Sequence, residues 1–250
     1  MSDWDAATYD RVSDVQFAWA LAQLERLRLN GDEVVLDAGC GSGRVTAELI
    51  ARVPRGRAYG VDLSVAMVEH ARASVGQRAT ILHQDIVELA LPEPVDVVFS
   101  NATFHWVLDH EALFAALDRS LRPEGRLLAQ CGGAGNIDAF LTTAQAIAGE
   151  APFAAHFDGW RPPWYFATAE DTTARLERAG FTDVDCWLAP GSVTPAEPRE
   201  FVQTVTLRPH LNLIPEELRD EFVDRVLARM DEPLALDYVR LNMSAVRLKS

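Results

Sequence analysis

One stretch of this chain combines residue types and spacing that could do chemistry. Asp37-Ala38-Gly39-Cys40-Gly41-Ser42-Gly43 sets three glycines at alternate positions behind an acid. Glycines so placed let the backbone turn tightly and approach a ligand, and a helix starting after them presents N–H groups to electron-rich atoms. Nineteen residues beyond Gly43 stands Asp62, where a carboxylate can accept hydrogen bonds from both hydroxyls of a ribose. The dinucleotide spacing G-x-G-x-x-G needs a glycine at position 44, and the chain has Arg44 there. Asp37 would also repel a pyrophosphate and attract an amino or sulfonium cation. The loop therefore suits a cationic nucleoside better than a dinucleotide, which disfavours a nicotinamide-dependent oxidoreductase. Cys40 reads as a small filler whose backbone matters more than its thiol.

The elements that must position these residues follow from periodicity. Residues 10–29 place Val15, Ala18, Trp19, Ala22 and Leu24 on one helical face. Short apolar runs at 33–37, 58–62, 80–83, 95–99 and 126–130 read as buried strands. They alternate with amphipathic helices at 44–53, 64–73 and 109–121, with Ser64 and Asp109 as N-caps. Strands apolar on both faces, alternating with helices, imply a parallel sheet covered on both sides. Residues 134–167 break the rhythm. It returns with a Thr168-capped helix to Ala179, a strand at 184–188, a helix from Pro215 with the stripe Leu218, Phe222, Val226 and Met230, and a last strand at 237–247. The expected architecture is one α/β domain over 1–250: an N-terminal helical segment (1–30), a nucleotide-binding core (31–133), and insertions at 134–167 and 193–235. Insertions after the C-terminal ends of strands build substrate walls.

Composition narrows the class. The 250 residues are 48% hydrophobic and 24% charged, so a full core can be buried. A net charge of −14, from 23 Lys and Arg against 37 Asp and Glu, argues against a wide nucleic-acid footprint. No run reaches the ~18 apolar residues of a membrane span. The start Met1-Ser2-Asp3-Trp4-Asp5 lacks the basic and apolar regions of a signal peptide, so a cytoplasmic location is expected. Cys40, Cys131 and Cys186 fit neither a disulfide framework nor a zinc ribbon, and no metal is expected.

Four stretches in core order, D-A-G-C-G-S-G at 37–43, V-D-L-S at 61–64, Q-D-I at 84–86 and F-S-N-A-T-F-H-W at 99–106, resemble the class I S-adenosylmethionine-dependent methyltransferases. That resemblance implies a Rossmann-like, doubly wound seven-stranded sheet with an antiparallel last strand, capped by the helical insertions. It implies S-adenosylmethionine as cofactor and S-adenosylhomocysteine as product. Asp37, Gly39, Cys40, Gly41 and Gly43 would hold the amino acid part, Asp62 with Leu63 and Met67 the ribose side, and Asp85 with Ile86 the adenine. Asn101 and Ala102 would line the floor beside the methyl group. The stretch lacks the N-P-P-Y type of signature that grips a flipped base.

Outside the core, the start M-S-D-W-D-A-A-T-Y, S-N-A-T-F-H-W-V-L-D-H at 100–110, T-L-R-P-H-L at 206–211 and the ending from Asp237 to Arg247 resemble the trans-aconitate methyltransferase family. The resemblance implies O-methylation of a carboxylate on a small, anionic acid. Such an acid needs cations with a bidentate fork to hold its other carboxylates. Arg208 is the first expectation and Arg161, between Trp160 and the Pro162–Trp164 turn, the second. His105 and Trp106 fall where the acceptor would sit, with His105 donating a hydrogen bond to an acceptor oxygen. Trp4 and Tyr9 would join the pocket. The alternative is O-, N- or C-methylation of a secondary metabolite, whose acceptor needs a base such as His105.

Overall fold

The computed structural model describes residues 10–11 and 13–249. Seven strands form one sheet in the order β3-β2-β1-β4-β5-β7-β6. They are β1 (Val34–Ala38), β2 (Arg57–Asp62), β3 (Thr80–His83), β4 (Val95–Asn101), β5 (Leu121–Gly132), β6 (Phe181–Val193) and β7 (Leu236–Arg247). β1 to β5 pair in parallel, and β7 lies antiparallel between β5 and β6. The Rossmann-like sheet with an antiparallel last strand is therefore present. Its order reverses at β1 and β4, so the C-terminal ends of these two strands open a crevice where open α/β sheets bind ligands.

Helices cover both faces: α1 (Asp14–Leu24), α2 (Arg44–Arg52), α3 (Val65–Val75), α4 (His110–Ser120) and α6 (Ala169–Arg178). Ser64, Asp109 and Thr168 cap α3, α4 and α6, each accepting a first-turn N–H at 2.9–3.2 Å. One apolar cluster joins Leu36, Val98, Leu113, Leu117, Leu127 and Met243; another, on the opposite face, joins Ala20, Leu24, Val35, Leu49, Val97 and Phe99.

Three expectations need correction. The buried face of α1 carries Gln16, Ala20, Gln23 and Leu24, while Ala18 and Ala22 are exposed. The glutamines face inward because a polar layer awaits them: Gln23 Nε2 and Gln130 Nε2 both donate to Asn242 Oδ1, at 3.0 and 2.6 Å. β5 begins at Leu121 rather than 126, since Pro123-Glu124-Gly125 makes a bulge and not a strand end. The insertion at 134–167 is helical, as expected: it contains α5 (Asp138–Ala148), which buries Phe140, Ala144 and Ile147. β6 runs well past 184–188 because β7 pairs along its length, and its outer position on the sheet tolerates Pro190.

The 193–235 segment forms α7 (Pro198–Phe201), a π-helical turn over Val202–Thr206, α8 (Arg208–Leu211) and α9 (Glu216–Leu227). It packs on α5 through a separate apolar cluster of Phe140, Ile147, Phe153, Leu207, Phe222 and Val226. Among the described residues, no helix is long and apolar enough to cross a membrane.

Candidate active site

The glycine loop leaves β1 and returns directly beneath β2. The N–H groups of Gly39 and Cys40 both donate to the Val61 carbonyl, at 2.8 and 2.9 Å. Gly39, Gly41 and Gly43 all have positive φ, and a Cβ on Gly39 would lie 2.1 Å from Thr103 Oγ1. Glycine is therefore required at 39 for both conformation and space. Asp62 closes the loop from the other side, accepting from Gly41 N and Ser64 N at 2.9 Å each.

Asp37 is fully buried behind the loop. Thr46 Oγ1 donates to it at 2.7 Å, and no cationic side chain contributes to its titration. Desolvation, with Asp62 nearby, pushes its carboxyl up to about 7 in spite of the Thr46 bond. Cys40 is buried beside Gly60, and burial with Asp37 and Asp62 at hand pushes its thiol well above the ordinary value. It is a thiol and not a reactive thiolate. Asp85 caps the 3-10 turn of Ile86–Glu88 by accepting from Val87 N at 3.0 Å.

Of these, Asp37, Gly39, Cys40, Gly41, Asp62 and Asp85 line a cleft of about 1040 Å³ that also takes in Leu63, Met67, Ile86, Asn101 and Ala102, whereas Gly43, packed against Ala71, does not line it. The donor set fits a nucleoside with a cationic tail. Carboxylates stand at Asp37, Asp62 and Asp85, and the loop bears no lysine or arginine to receive a pyrophosphate. Arg44, where a dinucleotide loop would have glycine, instead holds α1. Its Cζ lies 3.9 Å over the Phe17 ring, Nη2 pairs with Asp14 at 2.8 Å and Nη1 donates to the Asp10 carbonyl. Ser42 adds a hydroxyl bond to the Asp10 carboxylate.

A second cavity of about 90 Å³ adjoins the cleft, and Gln16, Asn101, Ala102 and Trp106 line both. Ala102 is held at φ 57°, its N–H donating to the Gln130 carbonyl at 2.8 Å, and Asn101 Nδ2 donates to the Gln16 carbonyl at 3.2 Å. The cavity walls are aromatic: Trp19, His105, Trp106, Trp164, Phe166 and Tyr238. Gly132 N donates to His105 Nδ1 at 3.3 Å, which leaves the proton of the neutral ring on Nε2. Desolvation, reinforced by His110, pushes the His105 pKa down to about 3.

The structure thus brings His105 and Trp106 to the second cavity and Arg208 to the rim of the first, beside Trp160 and Pro163. Arg161 is exposed and lines neither. Trp4 and Tyr9 lie outside the described residues. The sequence reading did not assign Gln16, Gln130, Asn136, Phe166, Tyr238 or Arg240 to the site, all of which line the aromatic cavity. For Arg240 a signal existed: it stands in a largely apolar strand, two residues from Tyr238 and from Asn242, on one face of the pleat.

The model of a family described as a methyltransferase domain matches residues 36–129. A trans-aconitate 2-methyltransferase of Methylobacterium nodulans is 31% identical over 247 residues, spanning 93% of this chain and 90% of its own length. Among solved structures, Haemonchus contortus phosphoethanolamine N-methyltransferase 2 superposes with a TM-score of 0.64 at 20% identity, over 97% of this chain and 57% of that one. The YcgJ protein of Bacillus subtilis gives the same TM-score at 16% identity, over 94% of this chain and 100% of its own. The two superpositions establish the fold. The near end-to-end relative goes further: the chain belongs to the class I S-adenosylmethionine-dependent methyltransferases, and within them it resembles the trans-aconitate methyltransferases.

Proposed function

We propose that the chain O-methylates a carboxylate of trans-aconitate or a related small polycarboxylic acid. The observation that carries this reading is the state of His105, the one histidine among the described residues lining the aromatic cavity. Its Nδ1 is already engaged by Gly132 N–H, and its pKa lies near 3. A phenol or ammonium acceptor must lose a proton to react, and a ring in this state does not take one at neutral pH. A carboxylate is already ionised and needs no base.

S-adenosylmethionine, when bound, supplies an electrophilic methyl group on a positively charged sulfur. Asp37 would hold its amino group, Asp62 its ribose hydroxyls, and Asp85 with Ile86 its adenine, while Leu63 and Met67 pack alongside. Asn101 and Ala102, common to both cavities, form the boundary across which donor and acceptor meet. His105 donates its Nε2 proton to an acceptor oxygen and fixes which oxygen faces that boundary. Holding two reactants in this way is worth up to ~7–11 kcal/mol of the barrier. The net negative charge of the chain does not oppose an anionic acceptor, since exposed charges beyond ~8–10 Å are screened.

The test is methyl transfer from labelled S-adenosylmethionine to trans-aconitate, cis-aconitate, citrate and isopropylmalate. A base-labile monomethyl ester is the expected product. Transfer to phenols or amines alone, with S-adenosylhomocysteine bound normally, would overturn the carboxylate reading.

A further inference from the structure

Among the described residues, the aromatic cavity is lined by one cation. Arg240 stands on β7 opposite Gly132 of β5 and Ala189 of β6. Its Cζ lies 4.6 Å over the Trp19 ring, and that ring meets Tyr238 edge-on at 5.2 Å. The stack fixes where the guanidinium points, as cation–π contacts do when partly desolvated. Its Nε is out of reach of solvent and donates to no atom. Burial is the sole influence on its titration, pulling its pKa below the ordinary value with no carboxylate nearby to raise it. It nevertheless stays charged at any pH the protein experiences.

The side chain is half-buried, but its Nε is shielded from water and unpaired, which leaves a charge-assisted donor open to an acceptor in the cavity. The described residues lining the cavity include no carboxylate, so the acceptor that suits this donor is an anionic ligand. The aromatic walls alone would suit a methylated ammonium equally well, but Arg240 repels one. We infer that Arg240, aimed by Trp19, holds a second, non-reacting carboxylate of the acceptor and so selects di- and tricarboxylic acids over monocarboxylic ones. This assignment rests on the carboxylate reading above. It gives Arg240 the anchoring role for which the fork of an arginine is suited, where a lysine offers only a point charge.

The experiment compares wild type, R240Q, R240K and W19L on trans-aconitate, itaconate and crotonate, which carry three, two and one carboxylates. Calorimetric affinity for S-adenosylhomocysteine serves as the control for folding. R240Q is expected to lower kcat/KM on trans-aconitate and itaconate by about 10- to 100-fold, mostly through KM, with less than about threefold change on crotonate. R240K should recover part of the loss, and W19L should show the same split more weakly. Should R240Q fail to bind S-adenosylhomocysteine, R240K carries the same comparison. Equal losses on all three acids, or selectivity that survives R240Q, would overturn this inference alone. A wild type that binds S-adenosylhomocysteine but methylates none of the three would overturn it together with the carboxylate reading.

Discussion

The backbone N–H of Gly132 donates to Nδ1 of His105, so a strand end on β5 fixes the tautomer of a side chain that follows β4. A ring held this way donates through Nε2 and does not abstract a proton. At saturating cofactor, kcat should therefore stay flat from about pH 6 to 9, with no limb near the ordinary histidine range. H105Q, which keeps an N–H donor, should retain activity within about tenfold, whereas H105F should lose more. A limb near pH 6.5 that disappears in H105Q would identify the ring as a base and redirect the search to protonated acceptors.

Asp37 carries two opposite expectations. Its folded pKa, about 7, lies above the unfolded value near 3.8, so the stability it contributes is complete at low pH and is lost as pH rises through 7. D37N should therefore raise the melting temperature of the ligand-free protein at pH 8. In the proposed role Asp37 holds the ligand's amino group as an ionised carboxylate, so wild-type affinity for S-adenosylhomocysteine should fall by up to about tenfold per unit as pH drops below 7. In D37N that dependence should vanish and the affinity at pH 8 should be lower. Calorimetric titration at pH 6, 7 and 8 with melting curves reads both effects. An unchanged pH dependence in D37N would assign the amino group elsewhere.

The proposed cofactor half of the site was legible because it is local. The loop 37–43 and Asp62 sit at the ends of adjacent strands, and the backbone bonds from Gly39 and Cys40 to Val61 need only β1 and β2 side by side. Of the proposed acceptor half only the residues at and after the end of β4, Asn101, Ala102, His105 and Trp106, were legible, because the rest is assembled from α1, β5, β7 and both insertions. Trp19 was visible as part of a helical face, but that face was misjudged. Gln23 turns inward because Asn242, over two hundred residues away, is there to meet it. Arg208 and Arg161 lie in the segments expected to set specificity, and of the two only Arg208 reaches a cavity wall. Arg240 reaches the acceptor cavity because β7 inserts between β5 and β6, an order that periodicity does not reveal.

Within the loop, two glycines with positive φ should respond differently to alanine. Gly39 meets Thr103 at a distance no real Cβ tolerates, whereas a Cβ on Gly41 meets nothing within 4 Å. G41A should cost only the left-handed backbone strain, roughly 1–2 kcal/mol. G39A should cost clearly more and shift the Thr103 side chain, whose hydroxyl donates to the Gly39 carbonyl. Chemical denaturation of both variants gives the comparison. Equal losses would mean that Thr103 yields without penalty and that the contact does not define the loop.

Acid should destabilise the fold through buried neutral histidines. His105 and His210 are pushed down to about 3 and 4 by burial, and His110 is also lowered, burial again leading. A histidine whose folded pKa is depressed leaves the unfolded chain binding more protons below pH 6.5, so stability is full above that value and falls as pH decreases. Asp37 opposes this, taking up a proton in the folded state below 7, but it is one group against three. The melting temperature should therefore decline between pH 6.5 and 5. His210 sits among Trp160, Trp164, Phe157 and Phe222, with ring centroids 4.8–5.9 Å away, so phenylalanine can replace it with little change of shape. H210F should flatten the pH slope by about one proton, roughly 1.4 kcal/mol per pH unit. A slope unchanged in H210F, with the fold intact at pH 7.5, would show that this histidine is already protonated in the native protein.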